Sequence, residues 1–180
     1  MLLSLVWAAL RIAGPQARAE ESSPSEYKVK AECLYKLTLF MEWPAEAFPN
    51  GSAPFVVGVL GDDPFGPELE KAMENRTVKD RKIVIKRSEK AEDLKSCQIL
   101  FISSSEKKRL PKIMEALKGF KGLSVSEADE FIRSGGIIRV TLNEEQKLRL
   151  EINAKAAEVA GLKISSKLLK LATPTPGERP

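Results

Sequence analysis

Asp62 and Asp63 follow the apolar run 55-FVVGVL-60, and Ser103, Ser104 and Ser105 close the run 98-QILFIS-103. Adjacent carboxylates behind a strand can hold a magnesium ion beside an aspartate that accepts a phosphoryl group. That chemistry needs an acidic residue at the end of the neighbouring strand, and this sequence has serine there. Asp62 and Asp63 therefore read as turn and helix-cap residues in preference to phosphotransfer residues. The serines could present hydroxyls and helix N-terminal amides to an anion, and capping accounts for them equally well. Both groups are expected in loops at the carboxyl ends of parallel strands, where open α/β sheets bind ligands.

The sequence contains no histidine. This removes the side chain most used as a general base and the commonest metal ligand. Ser-His-Asp and Cys-His catalysis are excluded, and neither an enzymatic centre nor a cofactor is expected. Cys33 and Cys97 are the two cysteines. An even count permits one disulfide in an oxidising compartment, and a pair of buried thiols is the alternative.

Hydrophobic periodicity supplies the framework that must position these groups. Ser23-Pro24-Ser25-Glu26 is a capping box, and the helix behind it is expected to reach about Glu42. Val29, Cys33, Leu34, Leu37, Phe40 and Met41 form its buried face, and Trp43-Pro44 ends it. The run 55–60 is continuous enough for a strand covered on both faces. After the turn Gly61–Gly66 a helix should end near Asn75. The segment 82-KIVIKR-87 is a strand, Ser88 to Leu94 a short helix, and 98–103 a second fully apolar strand. Ser104 or Ser105 caps a helix to about Lys118, the strand 123-LSVS-126 follows, and another helix covers 127–133. This alternation predicts a single layered α/β/α domain with a mostly parallel sheet.

The last third has another rhythm. Ile138, Val140 and Leu142 alternate with Arg139 and Thr141, and Leu148, Leu150 and Ile152 alternate with Arg149 and Glu151, as in a hairpin with one buried face. Opposed residues share a face, so paired numbers sum to an even value. A loop at Glu144-Glu145-Gln146 sets 142 opposite 148, 140 opposite 150 and 139 opposite 151, which makes Arg139 and Glu151 an ion pair. A helix after Asn153 ends at Gly161. In 161-GLKISSKLLKLA-172, Ile164, Leu168 and Leu171 form one stripe and Lys163, Lys167 and Lys170 another. The helix is too short for interfacial anchoring by itself, so the leucines are expected on the sheet and the lysines in solvent. The Pro-rich tail 173–180 is expected to be disordered.

The beginning of the chain bears on location. MLLSLVWAAL, then Gly14-Pro15, then Ala17-Arg18-Ala19 reads as a signal peptide cleaved after Ala19, an apolar N-terminal helix being the alternative. Removing residues 1–19 takes Arg11 and Arg18 and lowers the net charge from +4 to +2. That balance gives no argument for nucleic acid. No other apolar run is long enough to cross a membrane, so no direct membrane insertion of the mature chain is expected.

The segments 34-LYKLTLFMEWP-44, 57-VGVLGDDPFG-66, 97-CQILFISSSE-106, 135-GGIIRVTLNEEQKLRLEIN-153 and 161-GLKISSKLLKLA-172 together resemble the YfiR family, also called DUF4154. The resemblance extends over about 26–172. It implies a periplasmic α/β regulator without catalytic activity. Its partner would be the periplasmic sensor region of an inner-membrane signalling protein, a diguanylate cyclase, restrained so that cyclic di-GMP and biofilm formation fall. The alternative is a periplasmic sensor that binds a small molecule in the loops of Asp62, Asp63 and Ser103–Ser105; a homodimer is compatible with either. Disulfides in the family imply a redox-linked bridge. Cys97 stands at the family's pre-strand cysteine, whereas Val57 stands where its partner would be and Cys33 lies on the first helix.

Overall fold

The computed structural model describes residues 24–172. The expected signal segment 1–19, the capping residue Ser23 and the tail 173–180 lie outside the described residues.

The first helix, α1 (Pro24–Leu39), begins at its proline, whose fixed φ and missing N–H suit a first turn. Tyr27, Ala31, Cys33, Leu34 and Leu37 are buried along one stripe. The helix stops short of the expected end at Glu42. Phe40 N–H donates back to Leu37 O at 3.1 Å, and Met41–Glu42 becomes β1. This short strand pairs antiparallel with β9 (Lys163–Ile164), Met41 opposite Ile164. Met41 thus reaches the core from a strand.

The remaining strands are β2 (Phe55–Leu60), β3 (Thr77–Val78), β4 (Arg81–Ser88), β5 (Ile99–Ile102), β6 (Leu123–Ser126), β7 (Ile138–Leu142) and β8 (Leu148–Ile152). They form one sheet in the order β3-β4-β2-β5-β6-β7-β8. The five inner strands run parallel, and β3 and β8 are antiparallel at the edges. The expected α/β class with a mostly parallel sheet is what forms. The apolar run of β2 serves both faces. Phe55, Val57 and Val59 join a cluster with α1, α2 (Glu68–Met73), α4 (Ala154–Val159) and α5 (Ser166–Leu171). Leu60, with Val56 against it, joins a second cluster built on α3 (Leu110–Ala116), Leu94 and Phe131.

β3 pairs only Thr77 with Lys82 and Val78 with Arg81, so 83–88 has no strand on its outer side among the described residues. Along β4, Ile83 and Ile85 are half-buried while Lys82, Val84 and Lys86 are exposed.

Three expected helices are corrected. The segment 127–133 forms a series of turns, in which Ser134 N–H donates to Glu130 O and Gly136 N–H to Phe131 O. Only Ala91–Leu94 of the segment after β4 coils, as a 3-10 turn. The residue that caps after β5 is Ser103 rather than Ser104 or Ser105. Its hydroxyl accepts from Ser105 N–H, and a 3-10 turn (Ser104–Arg109) precedes α3.

The hairpin follows its expected register, with Leu142 opposite Leu148, Val140 opposite Leu150 and Arg139 opposite Glu151. Asn143 N–H donates to Lys147 O at 2.9 Å, closing the loop at 144–146. Asn153 caps α4 by accepting from Ala156 N–H, and Gly161, at φ +78°, turns the chain out of it. In α5, Leu168 is buried as expected, at 3% exposure, but Leu171 is 69% exposed and lies off the core. The pairing of Lys163–Ile164 with β1 explains this. The segment leaves the sheet as a strand, and only one turn of α5 then faces inward.

Candidate functional site

The chain leaves β2 through α2 on one face and reaches the adjacent β5 through Ala91–Leu94 on the other. Such a reversal opens a crevice at the carboxyl ends of the strands. Asp62, Asp63, Ser103, Ser104 and Ser105 are all brought to this rim. Gly61 lies between the two loops at φ +86°. A Cβ there would sit 2.6 Å from Ser105 Oγ and 2.7 Å from Glu106 Cγ. Asp62 N–H donates to Ser105 Oγ at 3.1 Å. Asp63 Oδ1 accepts from Phe65 N–H at 2.8 Å, and its Oδ2 meets Arg87 Nε at 2.7 Å. Asp63 thus organises a turn and holds a cation. Glu106, 7% exposed, packs against Gly61, and its carboxylate pairs with Arg109 at 3.1 Å. Glu106 and the Ser105 hydroxyl close up against Gly61, while Asp62, Ser104 and Ser105 stay exposed on the rim.

Beside this rim is a cluster not anticipated from the sequence. Lys30 is 3% exposed and forms ion pairs with Glu26 and with Glu127, which follows β6. The Tyr27 hydroxyl donates to Glu127 at 3.0 Å, and Lys30 Nζ lies 4.7 Å from the Tyr27 ring centroid. Burial alone would lower the Lys30 pKa. The hydrogen bonds and charges of Glu127 and Glu26 more than offset it, and Lys30 lies above its ordinary value. Arg139 continues the chain of charges. It meets Glu151 at 2.7 Å, donates to Glu127 O at 3.3 Å and pairs with Asp129. The expected Arg139–Glu151 pair is therefore one arm of a larger junction. Together these residues fasten the first half of α1 to the strand ends and set a charged rim around the join. The signal available in the sequence was the Glu26–Lys30 spacing, one helical turn apart.

Cys33 and Cys97 are both free and buried. The candidate disulfide between them is not formed, because they belong to the clusters on opposite faces of the sheet. Burial pushes the Cys33 thiol up to about 12 and that of Cys97 to about 11.

Two open cavities are formed among the described residues, the first adjoining the rim through Arg87, which lines it and holds Asp63, and the second lying away from it. One, of about 890 Å³, runs between α2 and the half-buried Ile83 and Ile85 of β4. The other, of about 470 Å³, lies between the end of α3 and α4. Among the described residues no helix is long and apolar enough to cross a membrane.

A family model described as DUF4154, YfiR/HmsC-like, matches residues 27–173. No curated protein matches the chain significantly. Two solved structures share its fold. A conserved domain protein from Vibrio cholerae O1 biovar El Tor superposes with a TM-score of 0.55 at 14% identity, over 83% of this chain and 60% of the other. The ABC domain from Streptococcus pneumoniae, in complex with L-Trp, gives a TM-score of 0.52 at 13% identity, again over 83% and 60%. The present chain thus spans about 60% of the length of each.

Proposed function

The chain belongs to the YfiR/HmsC-like family, and on that premise we propose that it is a non-enzymatic periplasmic regulator acting through a partner protein. The partner is the periplasmic region of a membrane signalling protein, a diguanylate cyclase, and binding restrains it so that cyclic di-GMP falls. The observation that carries this reading is the family match over residues 27–173. Cleavage after Ala19 would release the regulator into the compartment where that region lies.

The test is capture from detergent-solubilised membranes with the tagged mature protein, combined with measurement of cyclic di-GMP. Recovery of a membrane cyclase, and a rise in cyclic di-GMP when the regulator is deleted, are the expected outcomes. Recovery of the intact chain from the cytoplasm, or unchanged cyclic di-GMP on deletion, overturns the reading.

A further inference from the structure

The 470 Å³ cavity between the end of α3 and α4 falls in the size range of small-molecule sites, and its chemistry is one-sided. Leu117, Phe120, Ile137 and Ala160 supply apolar wall. Lys118, Lys155 and the Asn153 amide offer protons to it, and Ser124 and Ser134 are the side-chain hydroxyls on its wall. Ser124, 4% exposed, accepts from Ile137 N–H at 3.2 Å, which leaves its own hydroxyl proton to be placed elsewhere. Asn153 Oδ1 is used by Ala156 N–H at 2.9 Å, which fixes the side-chain amide nitrogen as a donor without an acceptor among the described residues. Lys155 lines the same cavity and has no ion-pair partner among the described residues. Lys118, also lining it, pairs with Glu115 at 2.7 Å on the exposed side. No aspartate or glutamate contributes to the lining.

From this we propose that the cavity binds a small amphipathic monocarboxylate, with one carboxylate against Lys155 and Asn153 and an apolar chain or ring against Phe120 and Leu117. A neutral apolar molecule would cover the donors without satisfying them, which costs free energy. An amino acid would bring an ammonium group into a lining that holds no carboxylate. A second, larger polar group would meet apolar wall. The site is distinct from the rim of Asp62, Asp63 and the serines. It requires no partner protein, so its test and the membrane-capture test succeed or fail independently.

Decanoate is a suitable probe, titrated into the purified full chain by calorimetry and by amide NMR. Saturable binding is expected, with the Asn153 side-chain amide signals moving while those of exposed Asn75 stay in place. Lys155→Gln, at an exposed position, should keep the melting temperature and weaken decanoate about tenfold, the loss of one charge-assisted hydrogen bond. Ala156→Phe fills the cavity from α4 and should abolish binding. Decan-1-ol and tryptophan should each bind more weakly than decanoate. The proposal is overturned by absent or non-saturable decanoate binding, by decan-1-ol or tryptophan binding as tightly, by an unmoved Asn153 amide, or by unchanged affinity in Lys155→Gln.

Discussion

At Gly58, the place a side chain would take is held by Cys97. A Cβ built there would lie 2.8 Å from Cys97 Sγ and 3.2 Å from Leu100 Cδ1. Gly58→Ala should therefore cost about 1–3 kcal/mol by overpacking, measured by urea unfolding. Cys97→Ala removes the sulfur, and the double variant should lose less than the two single losses added, since the groups touch. Strict additivity would show that the contact is not what excludes a side chain. Burial also gives the thiols a pH signature. Their folded pKa values, about 12 for Cys33 and about 11 for Cys97, lie above the ordinary 9.0. The unfolded chain releases these protons first, so stability is intact below pH 9 and falls as pH climbs towards 12. Cys33→Ala should show a shallower alkaline decline in melting temperature than the wild type, and an equal decline would remove the assignment. Lys30→Ala leaves the half-buried Glu127 without its cation, though still bonded to the Tyr27 hydroxyl, and should cost about 1–3 kcal/mol. Lys30 and Glu127 are 97 positions apart, and nothing local in the sequence joins them. Asp63 was legible as a turn residue because it accepts from Phe65 N–H two positions on, whereas the cap fell on Ser103 in place of Ser104 or Ser105 and Ser105 Oγ serves Asp62 N–H 43 positions away.

The hairpin and α5 separate what local pattern specifies from what distant pairing decides. The hairpin register followed from parity alone, because a slip by one residue would turn Val140 and Leu150 out of the core. Arg139 lies under heavier demand than a simple cross-strand partner. It serves Glu151, Asp129 and the Glu127 carbonyl. Arg139→Ala should accordingly destabilise more than Glu151→Ala, and the double variant should be sub-additive by thermal unfolding. Equal single effects would reduce the junction to one pair. The end of α1 and the direction of Leu171 were not legible, since both depend on β1 meeting β9 across most of the chain. For α5 the expected contrast is within one turn. Leu168→Ala should cost about 2–5 kcal/mol, and Leu171→Ala should stay within about 0.5 kcal/mol. Changing Lys163, Lys167 and Lys170 together to glutamine should leave the melting temperature nearly unchanged. If that variant loses sedimentation with anionic liposomes while Leu168→Ala melts normally, α5 is a membrane anchor.

Over the whole molecule, the apolar runs at 55–60 and 98–103 announced a sheet covered on both sides, and the α/β class was legible from them. The strand order was not. It depends on which face each connection crosses, and the segments after β4 and β6, which make those crossings, are too short to show a helical period. Among the described residues, the same order leaves the outer side of β4 without a neighbouring strand from Ile83 to Ser88. An unpaired strand edge is a template on which another chain can extend the sheet. Lys82 and Lys86 are exposed along that edge, so like-charge repulsion between copies is expected to oppose edge pairing, and dissolved ions screen it. The screening length falls from about 10 Å at 0.1 M salt to about 3 Å at 1 M. Light scattering should therefore detect larger species as salt rises, and the Lys82→Gln/Lys86→Gln variant should form them already in dilute buffer. A variant that stays monodisperse would mean that shape, not charge, guards the edge. If charge is the guard, ionic strength becomes a control on how many copies of this chain remain separate and free to find a partner.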